Sequence, residues 1–247
     1  SKTPAYFLNL ASGFNAVHGR MPAVATGAVL ANRTIRSVGV SGDGDTVSIG
    51  LGQFMHMLRR NVPCLYIIEN NGVYGLTKGQ FSATAEEGAR TKGGQANDLP
   101  PMDTCALAVL LGCGFVARTF SGDVKQLSAI LKAGLSHRGT ALVDVISPCV
   151  TFNNQPDSHK SWDWGKEHEV PLQEIGFVPF FEEIQVDMKE GTTQDVRLHD
   201  GSTITLRKLH GDHDPTDRAS AVKLLEDSRA KSEFLTGIIY LDPKKED

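Results

Sequence analysis

The sequence predicts an α/β fold built on a parallel sheet, with a small β-rich extension at the C-terminus. Two short apolar runs, residues 37–40 and 64–68, are typical of buried strands. Between them, apolar residues from Val47 to Leu58 recur at the spacing of one helix face. A strand, helix and second strand of these lengths are joined by a crossover, so the two strands are expected to be parallel.

The same pattern repeats further along the chain. Helices are predicted at 104–111 and from Val124 to Leu135, each followed by an apolar strand, at 115–118 and 141–146. These elements place the main domain at 1–180.

Residues 181–247 form the predicted extension. Its alternating apolar residues on either side of Asp200-Gly201 indicate a β-hairpin. A helix is predicted at 218–231 and a final strand at 237–241.

Composition excludes several classes of protein. The 247 residues carry a net charge of −4 without a long basic run, so no nucleic-acid partner is expected. The longest apolar stretch, 106–117, is shorter than the roughly 20 residues that span a bilayer, and no signal peptide is recognised. Small secreted scaffolds are rich in cysteine, whereas this chain has four cysteines and no C-x-x-C pair, so a cytoplasmic location is expected. Cys64, Cys105 and Cys113 lie in apolar runs and are expected to be buried.

A polar motif follows each of two neighbouring predicted strands. Gly42-Asp43-Gly44 ends the first, and Asn70-Asn71 ends the second. Carboxyl ends of parallel strands meet at one edge of a sheet, where ligands bind. Asp43, the amide oxygen of Asn71 and the carbonyl of Val73 would supply oxygen ligands to a Mg²⁺ that neutralises a diphosphate.

The alternative is a pair of structural turns, since Asp-Gly and Asn-Gly are common turn sequences. A flavodoxin-like or nicotinamide-binding protein is disfavoured because no G-x-G-x-x-G follows a strand.

These motifs and the segments around them resemble the β subunit of 2-oxoacid:ferredoxin oxidoreductases. The resemblance covers nearly the whole chain and rests on His18-Gly19-Arg20 together with residues 41–45, 59–62, 70–80 and 147–154. Residues 199–202 and 214–217 resemble the 2-oxoglutarate branch of the family.

The resemblance implies thiamine diphosphate with Mg²⁺ and CoA-dependent oxidative decarboxylation of 2-oxoglutarate to succinyl-CoA and CO₂. It also implies an α subunit that supplies the activating glutamate, and ferredoxin as electron acceptor. The implied cofactor-binding residues are His18, Gly42, Asp43, Gly44, Asp45, Asn71, Val73, Tyr74, Gly75, Leu76 and Thr77. The alternatives are a pyruvate-type enzyme and a regulatory subunit without metal binding; intact Asp43 and Asn71 disfavour the second.

Three basic residues are candidates for contact with the substrate. The resemblance places His18 beside the cofactor, and Lys78 or Lys2 would bind the distal carboxylate of a dicarboxylic substrate. His18 and Lys78 are the candidate catalytic residues, and Leu76 is expected to set the length of the pocket. The alternatives are a histidine in a surface loop and ordinary solvated lysines.

Cys149 is the candidate ligand of a [4Fe–4S] cluster. Such a cluster needs four thiolates, and in the family the other three come from a segment that precedes the residues matching Ser1. That segment is not in this sequence, so we expect either a shortened chain or an omitted beginning. The alternative for Cys149 is an unpaired thiol after a strand.

Overall fold

A mostly parallel sheet of seven strands organises the protein. The structure is a computed structural model that describes residues 11–75, 77, 79–90, 95–147, 184–197 and 203–245. The sequence-predicted residues Lys2, Leu76, Lys78 and Cys149, and the hairpin turn Asp200-Gly201, lie outside them.

The described elements alternate between strands and helices through most of the chain. In order they are α1 (Met21–Ala31), β1 (Ser37–Gly42), a π-helical segment (Gly44–Ile49), α2 (Leu51–Arg59), β2 (Cys64–Asn70), β3 (Val73–Tyr74), β4 (Gln80–Phe81), α3 (Thr104–Leu110), β5 (Phe115–Phe120), α4 (Val124–Ser136), β6 (Thr140–Ile146), β7 (Thr193–Arg197), β8 (Thr203–Lys208), α5 (Arg218–Ala230), β9 (Glu233–Leu241) and a 3₁₀ turn (Pro243–Lys245).

Strands β1, β2, β6 and β5 are mutually parallel, as predicted. All residues of β5 and β6 are buried, because helices cover both faces of the sheet. On one face, helices α1, α2, α3 and α5 contribute buried residues such as Phe54, Val109 and Leu225. On the other, α4 places Ile130 against Phe115. The α/β class is therefore confirmed.

The C-terminal elements continue the same sheet. Strand β9 pairs antiparallel with β5, β8 pairs parallel with β9, and β7 closes the hairpin with β8. This pairing covers the edge of β5 that would otherwise present unpaired backbone groups. The predicted hairpin, helix and final strand are confirmed, with β9 four residues longer at its start than predicted. The division into domains at 180/181 stays a prediction.

The first predicted helix differs in its opening turn. Residues Gly44–Ile49 are π-helical, with the N–H of Gly50 bonded to the carbonyl of Asp45 at 2.9 Å, and the α-helix begins only at Leu51. A side chain at Gly50 would have its Cβ 2.8 Å from the Cα of Gly19, so close backbone packing accompanies the wider turn. Single π-turns of this kind occur often at functional sites. No helix in the described part of the chain is both long and apolar enough to cross a membrane.

Candidate functional site

Asp43 is the buried acidic residue at the carboxyl end of β1. Only 1% of its surface is exposed, and the side chain accepts hydrogen bonds on both oxygens. The hydroxyls of Ser82 and Thr84 donate to Oδ2, the latter at 2.6 Å. The backbone N–H of Asn71 faces Oδ1 at 3.5 Å. The structure therefore brings the two predicted motifs together, although 28 positions separate Asp43 from Asn71.

The turn after β2 sets the position of Asn71 and Val73. Gly72 has φ +73°, a conformation that favours glycine, and the side-chain oxygen of Asn71 accepts the N–H of Val73 at 3.0 Å. A carbonyl oxygen has two lone pairs, so one remains for another ligand. The short β3–β4 hairpin then returns the chain, and the N–H of Ser82 donates to the carbonyl of Gly72 at 3.0 Å.

The chemistry of these groups fits a hard divalent cation. Within the described residues, no lysine, arginine or histidine forms an ion pair with Asp43. A buried carboxylate without a balancing charge is costly, and a cation would offset that cost. The described residues also contain no group of three histidines, cysteines or acids that could bind a metal. One carboxylate with amide and backbone oxygens is a set that suits Mg²⁺.

Asp45 holds a neighbouring loop against the same edge. Its Oδ1 accepts the N–H of Gly19 at 2.6 Å, and its Oδ2 accepts from the hydroxyl of Ser41. Gly19 has φ +75° and packs directly on Gly50. His18 is the exposed residue directly before Gly19 in this loop. The contact that holds this loop is thus made by the Asp45 carboxylate.

Tyr74 packs over the start of the π-helical segment. Its hydroxyl donates to the carbonyl of Gly44 at 3.2 Å, and a Cβ on Gly44 would lie 2.6 Å from the ring. Gly44 is therefore required by the close approach of an aromatic ring. Gly75 and Thr77 are exposed in the loop that follows.

A chain of buried polar side chains continues behind the site, and sequence reasoning did not find it. Asn70 donates to Oδ1 of Asp144 at 3.1 Å, and Arg118 donates to Oδ2 of Asp144 at 2.9 Å. Arg118 also pairs with Asp103 at 2.7 Å. Ser82 and Thr84 were likewise missed, since short polar residues in a loop are usually solvated.

Burial and the charge of Arg118 have opposite effects on the pKa values of the two acids in this cluster. Burial opposes the charge of Asp103, but the guanidinium of Arg118 and its hydrogen bond outweigh this effect and lower the pKa of Asp103. Burial dominates at Asp144, whose pKa is raised despite Arg118. Charged residues within apolar strands, such as Arg118 and Asp144, were the available sequence signal.

The three described cysteines are buried, as predicted. Burial raises the pKa of Cys64 to about 11 and that of Cys113 to about 12, and it raises that of Cys105 as well. All three are free thiols in the protein core.

The protein is an α/β protein with a buried acidic residue at the carboxyl edge of a mostly parallel sheet, the edge where proteins of this class bind ligands. Residues 1–145, more than half of the chain, match the model of the thiamine pyrophosphate enzyme family, C-terminal TPP binding domain. The chain belongs to this family.

Relatives and a solved structure confirm the resemblance to oxidoreductase β subunits. The chain is 43% identical over 154 residues to the 2-oxoacid:ferredoxin oxidoreductase subunit beta of Saccharolobus solfataricus, covering 62% of this chain and 50% of the relative. It is 42% identical over 143 residues to the 2-oxoglutarate oxidoreductase subunit KorB of Mycobacterium tuberculosis. This match covers 58% of this chain and 38% of that relative. Since the matched part is about half or less of each of these relatives, their sequences extend well beyond it.

Among solved structures, the chain is similar to the 2-oxoglutarate:ferredoxin oxidoreductase from Magnetococcus marinus, determined with 2-oxoglutarate, coenzyme A and succinyl-CoA bound. The TM-score is 0.67 at 28% sequence identity, and the match covers 91% of this chain and 63% of that chain. The similarity includes most of the fold described above.

Proposed function

We propose that this chain is the thiamine-diphosphate-binding β subunit of a 2-oxoacid:ferredoxin oxidoreductase that acts on 2-oxoglutarate. The reaction is CoA-dependent oxidative decarboxylation to succinyl-CoA and CO₂, with electrons passing through a [4Fe–4S] cluster to ferredoxin. The observation that carries the proposal is the buried Asp43 carboxylate facing Asn71 at the carboxyl edge of the sheet. The similarity to enzymes named for 2-oxoglutarate supports the choice of substrate.

Asp43, Asn71 and the carbonyl of Val73 would hold Mg²⁺, and the metal would bind the diphosphate. When bound, thiamine diphosphate supplies an electron sink for decarboxylation. The protein would contribute position and charge balance: Asp43 would neutralise part of the metal charge, and Tyr74 packs against Gly44 at the same edge. The other residues proposed to bind the cofactor are Gly42, Asp45, Gly75, Leu76 and Thr77.

His18 would donate a hydrogen bond to the diphosphate or the substrate. The hydrogen bond from Gly19 to Asp45, at 2.6 Å, supports this role because it fixes the loop that carries His18. Lys2 and Lys78 are the proposed cations for the distal carboxylate of 2-oxoglutarate, and Leu76 the residue that limits pocket length. A dicarboxylate requires such a second cation, whereas pyruvate does not.

The α subunit completes the active site in this proposal, and it supplies the glutamate that activates the cofactor. Cys149 would be one of four cysteine ligands of the cluster. These two assignments rest on the similarity to oxidoreductase β subunits.

The test is turnover of 2-oxoglutarate and pyruvate by the full-length protein purified with its partner subunit. Ferredoxin reduction is followed with and without coenzyme A. The proposal expects CoA-dependent reduction with a clear preference for 2-oxoglutarate. A preference for pyruvate, or equal use of both, would favour the second candidate, a pyruvate-type or broad enzyme. That candidate is supported by the relatives named only for 2-oxoacids.

A further inference from the structure

Two hydroxyl groups occupy one oxygen of the Asp43 carboxylate. Ser82 and Thr84 both contact Oδ2, whereas the only described neighbour of Oδ1 in hydrogen-bonding range is the N–H of Asn71, at the long distance of 3.5 Å. Ser82 and Thr84 are also buried, with 5% and 8% of their surfaces exposed. The hydroxyl of Thr84 also lies 3.1 Å from the side-chain oxygen of Asn70 and 2.9 Å from the hydroxyl of Ser82. Each hydroxyl has one proton, and the carboxylate is the strongest of these acceptors and the nearest to both, so both protons are directed to Oδ2.

Backbone contacts fix the positions of the two hydroxyls. The oxygen of Ser82 accepts the N–H of Thr84 at 3.2 Å, and the N–H of Ala85 donates to the carbonyl of Ser82 at 3.1 Å. The N–H of Ala83, between them, donates to the hydroxyl of Ser48 at 3.0 Å. These contacts within the turn therefore hold both hydroxyls against Asp43.

We propose that Ser82 and Thr84 form a hydroxyl clamp that restricts Asp43 to ligation through Oδ1 alone, and that this restriction selects Mg²⁺ over Ca²⁺. The proposal rests on the metal site assigned above. Mg²⁺ requires near-octahedral geometry at short distances, which a single carboxylate oxygen satisfies. Ca²⁺ accepts more ligands at longer distances and often binds both oxygens of one carboxylate. With Oδ2 occupied, that second mode is closed.

Ser82 and Thr84 act in this proposal as positioning residues. Loss of a structural contact alone would weaken binding with both metals by the same factor. Loss of the clamp would instead change the ratio between the metals, because Asp43 becomes free to rotate and offer both oxygens. The ratio of the two dissociation constants therefore separates positioning from general stability.

The experiment compares the unaltered protein with the double variant Ser82→Ala/Thr84→Val. The full-length protein, purified with the subunits it retains, is stripped of metal. Binding of thiamine diphosphate is then measured by calorimetry with Mg²⁺ alone and with Ca²⁺ alone. The unaltered protein should bind thiamine diphosphate more tightly with Mg²⁺ than with Ca²⁺. In the double variant, the ratio of the two dissociation constants should fall by at least about tenfold.

Two control variants should keep the metal preference of the unaltered protein. Thr84→Ser retains the hydroxyl and should keep the preference of the unaltered protein. Thr119→Val removes another buried hydroxyl, bonded to Gln126 at 3.0 Å, and should also keep it. If the double variant does not fold, Ser82→Ala removes one of the two donors and should give a smaller loss in the same direction.

An unchanged metal preference in folded variants would overturn the clamp while leaving the proposed function intact. If the unaltered protein shows no metal-dependent binding of thiamine diphosphate, the proposed function itself fails, and the clamp fails with it. The two failures are therefore distinguished by the unaltered protein.

Discussion

Arg118 and Asp144 face each other across the parallel strands β5 and β6 and form a buried ion pair, with Nε 2.9 Å from Oδ2. Asp103 binds the other end of the guanidinium at 2.7 Å, and Asn70 binds the other oxygen of Asp144 at 3.1 Å. The positive charge of Arg118 therefore pairs with both Asp103 and Asp144, and Asp144 in turn binds Asn70 at the end of β2. Asn70 directly precedes the proposed ligand Asn71. The cluster thus fixes the sheet edge that carries the site.

Arg118→Met should destabilise the protein by about 3 kcal/mol or more, because it leaves the buried Asp144 and the partly buried Asp103 without their counter-charge. Urea unfolding of the full-length protein measures this change. The matched control is Lys125→Met, whose pair with Asp187 spans 4.0 Å between exposed side chains and should contribute nothing measurable. Equal stability of the two variants would contradict the role of the cluster.

The same variant should respond to pH in a defined direction. In the unaltered protein, Arg118 outweighs burial and lowers the pKa of Asp103, so this stabilisation is present at neutral pH and lost as pH falls through that pKa. Without Arg118, burial raises the pKa values of both acids above those of the unfolded chain. Their protonation then favours folding, so the destabilisation should shrink as pH falls from neutral toward the acidic range. A constant difference across pH would be inconsistent with buried acids as its cause.

Gly50→Ala should displace the loop that carries His18. The added Cβ would lie 2.8 Å from the Cα of Gly19 and 2.9 Å from the carbonyl oxygen of Asp45, and backbone atoms cannot easily move away. Such overpacking costs about 1–3 kcal/mol. Melting temperature and affinity for thiamine diphosphate should both fall. Gly27→Ala, in helix α1 with open space around the new Cβ, should retain affinity and slightly raise stability.

Cys64, Cys105 and Cys113 should resist alkylation in the native protein near neutral pH. Burial raises the pKa of each thiol, to about 11 for Cys64 and about 12 for Cys113, so little thiolate is present. Iodoacetamide treatment followed by peptide mass mapping should label them only after denaturation. Rapid native labelling of any of the three would contradict their placement in the core.

Cys149→Ser should abolish the proposed [4Fe–4S] cluster while thiamine diphosphate still binds. One thiolate of four would be missing, and the cluster needs all four. Iron content and the electron paramagnetic resonance spectrum of the reduced full-length complex measure the loss. A normal four-iron signal together with normal ferredoxin reduction would refute the assignment of Cys149.

The parts of the fold that depend on local residue patterns could be predicted from the sequence. The apolar runs of β1 and β2 predicted adjacent parallel strands, and the polar residues after them predicted the approach of Asp43 to Asn71, now seen at 3.5 Å. Both inferences depend only on periodicity and on the geometry of parallel sheets.

Other features depend on contacts between distant residues. Thr84 lies 41 positions from Asp43, and Arg118 lies 26 from Asp144, so no local pattern pairs them. The pairing of β9 with β5 likewise depends on β5 having an edge that the other parallel strands leave unpaired. The π-helical turn before Leu51 follows the packing of Gly50 on Gly19, which helix periodicity alone does not contain.

The most direct test of the account is calorimetry of Mg²⁺-dependent thiamine diphosphate binding to Asp43→Ala in the full-length complex. Asp43 is the charged ligand of the proposed metal site, so its removal should abolish measurable binding. Asp195→Ala, which removes an exposed carboxylate bonded to Thr205 at 2.7 Å, should bind as tightly as the unaltered protein. Undiminished affinity in a folded Asp43→Ala variant would contradict the assignment of this edge of the sheet as the cofactor site.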